Sequence, residues 1–132
     1  MTSLLLALVV MLGLNIGSVP PAKVDSLLVA IATVESGNDS RAVGDGGKAI
    51  GAYQIHKVYW QDAVDFDKTL GGSYQDCYDP DYARRVVLAY LKRYAPAGAT
   101  AETLARIHNG GPRGYLKKAT LKYWTKVQKE LQ

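Results

Sequence analysis

Apolar residues recur at helical spacing in several segments of the chain, which predicts a mainly α-helical fold. In the first of these segments they are Leu27, Leu28, Ile31 and Val34. Asp25 or Ser26 can cap this helix at its start, and Gly37 and Asn38 are residue types that commonly end a helix. Glu35 is therefore expected on the last turn.

A stretch of small and polar residues follows directly. Residues 37–52 are dense in Gly, Asn, Asp and Ser, which predicts loops and turns. Within them, residues 44–47 (Gly-Asp-Gly-Gly) predict the tip of a small hairpin. Residues 50–55 predict either its return strand or the start of a helix. We then expect a helix over residues 58–66 and a loop over residues 70–78.

The strongest helix signal lies in the middle of the chain. Asp79 followed by Pro80 is a typical start, with an acidic cap and a proline in the first turn. The helix should end near Ala95, because the proline at position 96 disfavours helical backbone just before it. Its predicted apolar face consists of Val86, Val87, Tyr90, Leu91 and Tyr94.

Two more helices are predicted near the C-terminus. Thr100 can cap a helix that runs to Ile107 and is broken by residues 108–112 (His-Asn-Gly-Gly-Pro). Thr120 can cap a last helix. The apolar face of this last helix is expected to hold Leu121, Trp124, Val127 and Leu131. The pattern thus predicts a mainly helical domain with one irregular stretch after Glu35.

Composition narrows the class of protein. The 132 residues correspond to one domain, and 48% of them are hydrophobic, enough to form a core. The single cysteine, Cys77, excludes an internal disulfide and a metal site built from several thiolates. No zinc-ligand cluster and no phosphate-binding glycine loop is recognisable, so we expect neither a metal nor a cofactor.

The first residues have the character of an export signal. Residues 4–14 form an apolar run that is short for a membrane span and typical of a signal peptide. We expect residues 1–22 to be a signal peptide or membrane anchor and residues 23–132 to be the working domain. The protein would then be secreted, periplasmic or associated with the cell wall. A buried first helix is the remaining alternative.

Charge is distributed unevenly along the chain. Residues 1–83 carry five basic and ten acidic side chains, whereas residues 84–132 carry eleven basic and two acidic ones. Such a cationic half attracts anionic polymers, including those of bacterial walls. An ordinary solvated helix surface accounts for the same charges.

Glu35 is the most informative ionisable residue. It follows the apolar face of the first helix, and partial burial of a carboxyl favours the protonated form that a general acid needs. Protonation of a glycosidic oxygen is one reaction that such an acid performs.

Five short motifs resemble those of the lytic transglycosylases and goose-type lysozymes of the lysozyme superfamily. They occur in the family's order over roughly residues 24–131. The motifs are Glu-Ser-Gly-Asn at 35–38, Gly-Ala-Tyr-Gln-Ile at 51–55, the Asp-Pro helix at 79–91, Ile-His-Asn-Gly-Gly-Pro at 107–112 and Tyr-Trp-Thr-Lys-Val at 123–127.

The resemblance implies a lysozyme-like α+β domain with a small irregular hairpin after the catalytic helix. It implies a muramidase that cuts the β-1,4 bond between MurNAc and GlcNAc in peptidoglycan, with Glu35 as catalytic acid. The residues that it places at the substrate are Ser36, Tyr53, Gln54, His108, Asn109 and Tyr123. Taken singly, each amide or aromatic side chain among these residues is better explained by turn formation or core packing.

The second carboxylate separates two mechanisms. By the resemblance, transglycosylases need one acid only, since the N-acetyl group of the substrate attacks the anomeric carbon, whereas hydrolases add a carboxylate. Asp45 is the best candidate for that second group, and Asp39 is the alternative. The motifs favour a transglycosylase. His108 departs from the family, in which a tyrosine usually stands, and an imidazole there would make activity sensitive to pH near neutrality.

Other classes of protein remain open at this point. Cys77 with His108 and Asn109 would make a thiol hydrolase. A wall-binding or virion structural module would keep the fold without catalysis. A nucleic-acid binder would use the basic half of the chain. No nucleic-acid-binding motif is recognisable, however, and we expect no nucleic acid as a partner.

Overall fold

The structure, a computed structural model, describes residues 13–132. This part of the chain contains five α-helices, with a two-stranded antiparallel hairpin between the first and the second. The elements are α1 (Pro21–Ser36), β1 (Val43–Gly44), β2 (Ala49–Ile50), α2 (Lys57–Phe66), α3 (Pro80–Tyr94), α4 (Ala101–Gly110) and α5 (Leu121–Glu130). The predicted fold class, mainly helical with a small hairpin after the helix that carries Glu35, is confirmed.

Helix α1 begins earlier than the sequence predicted. Its first residue is Pro21 and no side chain caps it, so the predicted caps at Asp25 and Ser26 were wrong. Proline suits the first turn because its missing N–H would have no helical partner there. The predicted end is confirmed, since Gly37 adopts a left-handed conformation with φ of 67°.

Residues before Lys23 take part in the core. Ile16 and Val19 are 3% and 4% exposed and pair with each other across a tight turn. The backbone N–H and the hydroxyl of Ser18 both donate to the carbonyl of Ala99, at 2.9 and 2.8 Å. The described part of residues 1–22 therefore packs against the loop that precedes α4.

The apolar run at 4–14 lies almost wholly in residues 1–12, outside the described residues. Its interpretation as a signal peptide or anchor stays a prediction. Within residues 13–132, no helix is long and apolar enough to cross a membrane.

The core forms where α1 packs against α4 and α5, and α2 packs against α3. Its largest fully buried aliphatic side chains come from four helices and from the turn before α2. They are Leu27, Leu28, Ile31, Ile55, Val86, Val87, Leu91, Leu104, Ile107 and Val127. Full burial of one such side chain stabilises a fold by about 1.5–3 kcal/mol.

Helix α4 continues past its predicted end at Ile107 and includes His108 and Asn109. Residues 108–110 were predicted to break the helix, and that prediction was wrong. The side chain of His108 continues the buried face, one turn beyond Leu104, so tertiary packing stabilises a last turn that local propensity disfavours. The helix stops at Gly111, where φ is 90°.

Helix α5 presents a different face to the core than its apolar pattern predicted. Tyr123 and Val127 are buried, whereas Leu121 and Leu131 are 46% and 37% exposed. Thr120 precedes the helix, but its hydroxyl makes no cap. That hydroxyl bonds instead to the Gly114 carbonyl and to the Arg106 side chain, both at 2.8 Å.

Candidate active site

Glu35 lies on the last turn of α1 with its side chain 19% exposed. Its Oε2 accepts a hydrogen bond from the Tyr123 hydroxyl at 3.0 Å. The Nε2 atom of His108 lies 3.3 Å from the same oxygen. Two residues from the C-terminal helices thus converge on one carboxylate oxygen.

His108 is held from both sides of its ring. Its side chain is 2% exposed. Nε2 hydrogen-bonds with the carbonyl of Tyr53 at 3.1 Å, and Nδ1 hydrogen-bonds with the hydroxyl of Tyr59 at 2.8 Å. Tyr59 in turn stacks on Tyr90 with ring centroids 3.7 Å apart, which restrains its own ring.

The two tyrosines that bond to His108 and Glu35 through their hydroxyls, Tyr59 and Tyr123, remain protonated. Burial, reinforced by the Glu35 carboxyl and its hydrogen bond, raises the pKa of Tyr123 far above the ordinary tyrosine value. Burial, reinforced by Tyr90 and Tyr123, raises the pKa of Tyr59 well above that value too. Each phenol therefore keeps its hydrogen at a pH at which an ordinary tyrosine would lose it.

A cavity of about 200 Å³ opens beside Glu35. Its lining residues come from α1, the hairpin, the turn between β2 and α2, α2 and α4. They are Glu35, Asp45, Ala49, Gln54, His56, Tyr59, His108 and Asn109. Asp45 reaches it from the hairpin tip, where its side chain is 64% exposed and lies 3.3 Å from Nε2 of His56. Two carboxyl groups in different surroundings therefore share one cavity.

Four of the predicted site residues line this cavity together with Glu35: Asp45, Gln54, His108 and Asn109. Gln54 uses its side-chain N–H groups on the backbone, donating to the carbonyls of Gly51 at 3.0 Å and Ala42 at 3.3 Å. It adopts a positive φ of 53°, so these bonds hold the turn after β2. Tyr123 touches Glu35 without lining the cavity.

Ser36 and Tyr53 lie outside the cavity lining. The Ser36 hydroxyl donates to the Ala52 carbonyl at 2.7 Å and accepts from the N–H of Asp39 at 2.9 Å, which ties α1 to the segment after the hairpin. The Tyr53 ring is buried in the core, and its carbonyl is the part that reaches His108. Asp39, the alternative second carboxylate, bonds to the N–H of Arg41 and does not line the cavity.

Two of the four glycines in the motifs serve internal packing. Gly51 has a φ of 78°, and a Cβ there would collide with the carbonyl of Cys77. A Cβ at Gly110 would press on Thr120, at 2.5 Å. Gly37 and Gly111 have open space at the position of a Cβ.

His56 and Tyr59 line the cavity but were not predicted from the sequence. His56 directly follows the turn after β2 and precedes α2. The only sequence feature that could have indicated a role for His56 is that the chain has just two histidines. Tyr59 sits on a correctly predicted helix, but its bond to His108 joins residues 49 positions apart. No local pattern indicates such a contact.

Cys77 is unsuited to nucleophilic chemistry. It is fully buried, and burial raises the pKa of its thiol to about 12. It does not line the cavity that holds His108 and Asn109, so the thiol-hydrolase alternative is wrong. Within residues 13–132, no three His, Cys, Asp or Glu side chains are grouped as metal ligands.

Comparison with known proteins places the chain in a family. The family model described as Destabilase matches residues 25–130. A lysozyme of Meretrix lusoria is 39% identical over 108 residues, which is 77% of this chain and 85% of that protein. A lysozyme of Ostrea edulis is 45% identical over 85 residues, or 61% of this chain. The matched region spans only 58% of the length of the Ostrea protein.

Solved structures agree with the sequence comparison. The inhibitor-bound lysozyme from Meretrix lusoria superposes with a TM-score of 0.70 at 35% identity, covering 87% of this chain and 91% of that one. The Tapes japonica lysozyme gives 0.69 at 31% identity, covering 89% and 93%. The lysozyme-like superfamily is thus confirmed, while the narrower resemblance to lytic transglycosylases and goose-type lysozymes is not what the comparisons support. The chain belongs to the Destabilase family.

Proposed function

We propose that the protein is a glycosidase that hydrolyses peptidoglycan, with Glu35 as general acid and Asp45 as the second carboxylate. The observation that carries the proposal is the shared cavity, which both carboxyl groups line. The relatives named lysozyme support the same class of reaction.

The two carboxyl groups have the contrast in environment that such a pair needs. Glu35 is largely buried between His108 and Tyr123, whereas Asp45 is mostly open to solvent beside His56. A carboxyl held by neighbouring side chains at the edge of a cavity is placed to deliver a proton to the leaving oxygen. A solvent-facing carboxylate in the same cavity is placed to activate water or to stabilise positive charge on the sugar.

A lytic transglycosylase is the second candidate, and the motifs around Glu35 and Gln54 favoured it. That reaction needs only the acid, with Asp45 serving as a turn residue. Asp45 does adopt a positive φ of 50°, which aspartate tolerates. We rank hydrolysis first because a turn role does not require the side chain to line the cavity.

The basic C-terminal half supports a role for anionic wall polymers as partners. Lys122, Lys126 and Lys129 are exposed on α5, and Lys118 is exposed just before it. Such a surface raises the local concentration of a polyanion through long-range attraction. Peptidoglycan lies outside the cytoplasm, so secretion or wall association, expected from residues 4–14, belongs to the same proposal.

Analysis of the products tests the proposal directly. Purified peptidoglycan is digested and the fragments are analysed by mass spectrometry before and after borohydride reduction. A hydrolase leaves reducing MurNAc ends that borohydride converts. A transglycosylase leaves 1,6-anhydro ends that resist it. Absence of soluble fragments, with binding to walls retained, would instead support a non-catalytic wall-binding module.

A further inference from the structure

The position of His108 poses a chemical problem for the acid. Its Nε2 lies 3.3 Å from Oε2 of Glu35. A neutral imidazole carries hydrogen on one nitrogen and a lone pair on the other. A bare nitrogen is a stronger base than a carboxylate. If Nε2 were the bare nitrogen, it would take the proton that Glu35 has to deliver.

We propose that Tyr59 and the carbonyl of Tyr53 hold His108 in the tautomer with hydrogen on Nε2, so that His108 cannot take the proton of Glu35. The inference rests on the proposed role of Glu35 as the acid. It makes His108 and Tyr59 positioning residues. Tyr59 acts on His108 through a hydrogen bond, and His108 acts on Glu35 through the 3.3 Å contact between Nε2 and Oε2.

The hydrogen-bond partners determine the tautomer. The Tyr53 carbonyl, 3.1 Å from Nε2, can only accept, so Nε2 must be the donor. The Tyr59 hydroxyl, 2.8 Å from Nδ1, stays protonated because burial raises its pKa well above the usual tyrosine value. In a neutral ring with hydrogen on Nε2, Nδ1 carries the lone pair, and the Tyr59 hydroxyl donates to it. Of the two neutral tautomers, only this one satisfies both ring nitrogens.

The same geometry indicates which oxygen of Glu35 carries the proton. Oε2 accepts from Tyr123 and faces the N–H edge of His108. Among residues 13–132, Oε1 has no hydrogen-bond partner, yet no buried side-chain polar atom there is left unpaired. Oε1 therefore keeps some contact with solvent, and it is the oxygen placed to pass a proton to a substrate. The other ionisable groups lining the cavity, Asp45 and His56, are about half exposed or more.

Nitrogen-15 NMR of histidine side chains reads the tautomer without reference to activity. The chain has two histidines, and His56→Gln assigns the remaining signals to His108. We expect the neutral ring of His108 to show a protonated Nε2 and a bare Nδ1. A spectrum with hydrogen on Nδ1, or a mixture of both tautomers, would overturn the proposal.

A pair of variants then tests the consequence for the acid. We expect Tyr59→Phe to lower kcat about fivefold, the factor that corresponds to one ordinary hydrogen bond, with KM little changed. In a His108→Gln background, the same Tyr59→Phe change should alter kcat by less than about twofold, because an amide has no tautomer to hold. Equal losses in both backgrounds would show that Tyr59 acts by packing alone and would overturn its positioning role.

Tyr82→Phe is the matched control. The Tyr82 hydroxyl donates to the Gly71 carbonyl at 2.6 Å and accepts from Trp60 at 2.8 Å, away from Glu35. The control should leave the His108 spectrum and kcat unchanged. The proposed function and this inference fail in distinguishable ways. Full lysis by Glu35→Gln would show that Glu35 is not the acid, whereas the NMR spectrum reports the tautomer of His108 independently of activity.

Discussion

The hydroxyl of Tyr123 donates a 3.0 Å hydrogen bond to Oε2 of Glu35 across 88 positions of sequence. The first and last helices of the described chain therefore meet at the candidate acid. This hydrogen bond fixes the position of the Glu35 carboxyl group beside the cavity that it lines.

Replacement of Tyr123 by Phe is expected to lower the lysis rate about fivefold, the factor that corresponds to one ordinary hydrogen bond. The hydroxyl of Tyr123 holds Oε2 of Glu35 in place, whereas the phenyl ring of the variant keeps the packing of this buried side chain. Lysis rates and thermal unfolding midpoints are measured for both proteins. A normal rate in a folded Tyr123→Phe protein would contradict the positioning role of this hydrogen bond.

Glu35→Gln is expected to lower the lysis rate by about 10²–10⁴, the contribution of a general acid. Glutamine keeps the size of the side chain, so the thermal unfolding midpoint should stay close to that of the unmodified protein. Glu130→Gln, on the exposed end of α5, is the control and should retain full activity. More than a tenth of the normal rate in a folded Glu35→Gln protein would remove Glu35 as the acid.

Asp45→Asn separates hydrolysis from transglycosylation. Asparagine tolerates the left-handed backbone at this position, where φ is 50°, so the turn should survive. We expect a loss of about 100-fold or more if Asp45 is the second carboxylate, with reducing ends in the residual product. Asp39→Asn, outside the cavity, serves as control. A near-normal rate with 1,6-anhydro ends would make the protein a transglycosylase.

The N-terminal segment is expected to contribute to stability. Ile16 and Val19 are almost fully buried, so the unfolding free energy of a chain beginning at Lys23 should be lower by about 3 kcal/mol or more than that of a chain beginning at Gly13. Urea unfolding measures both. Ile16→Ala and Val19→Ala should likewise lower the unfolding free energy. Val29→Ala and Val58→Ala, at residues 64% and 68% exposed, are the matched controls and should change it little. Equal stability of the two shortened chains would contradict the role assigned to this segment.

The basic surface of α5 should matter mainly at low salt. Changing Lys122, Lys126 and Lys129 to Gln is expected to slow wall lysis several-fold at 20 mM salt and little at 300 mM, where charges are screened over a few ångströms. The matched control changes Lys23, Lys57 and Lys68, three exposed lysines elsewhere. Equal effects of both triple variants would show that net charge alone acts, without a specific surface.

Much of the fold followed from local patterns. The spacing of Leu27, Leu28 and Ile31 predicted α1 and put Glu35 on its last turn, and Asp79 with Pro80 predicted the start of α3, where the Asp79 carboxylate accepts from two backbone N–H groups. Caps, turns and periodicity act over three or four residues, so the sequence alone carries them. The hairpin tip at 44–47 was predictable for the same reason.

Tertiary packing decided what local patterns could not. It turned Tyr123 rather than Leu121 toward the core, and it extended α4 so that His108 is buried instead of lying in a loop. It also brought Tyr59 against His108. The sequence by itself determined that a glutamate would end the first helix. Only the folded chain decided which groups surround that glutamate, because such contacts depend on how helices distant in sequence pack against one another.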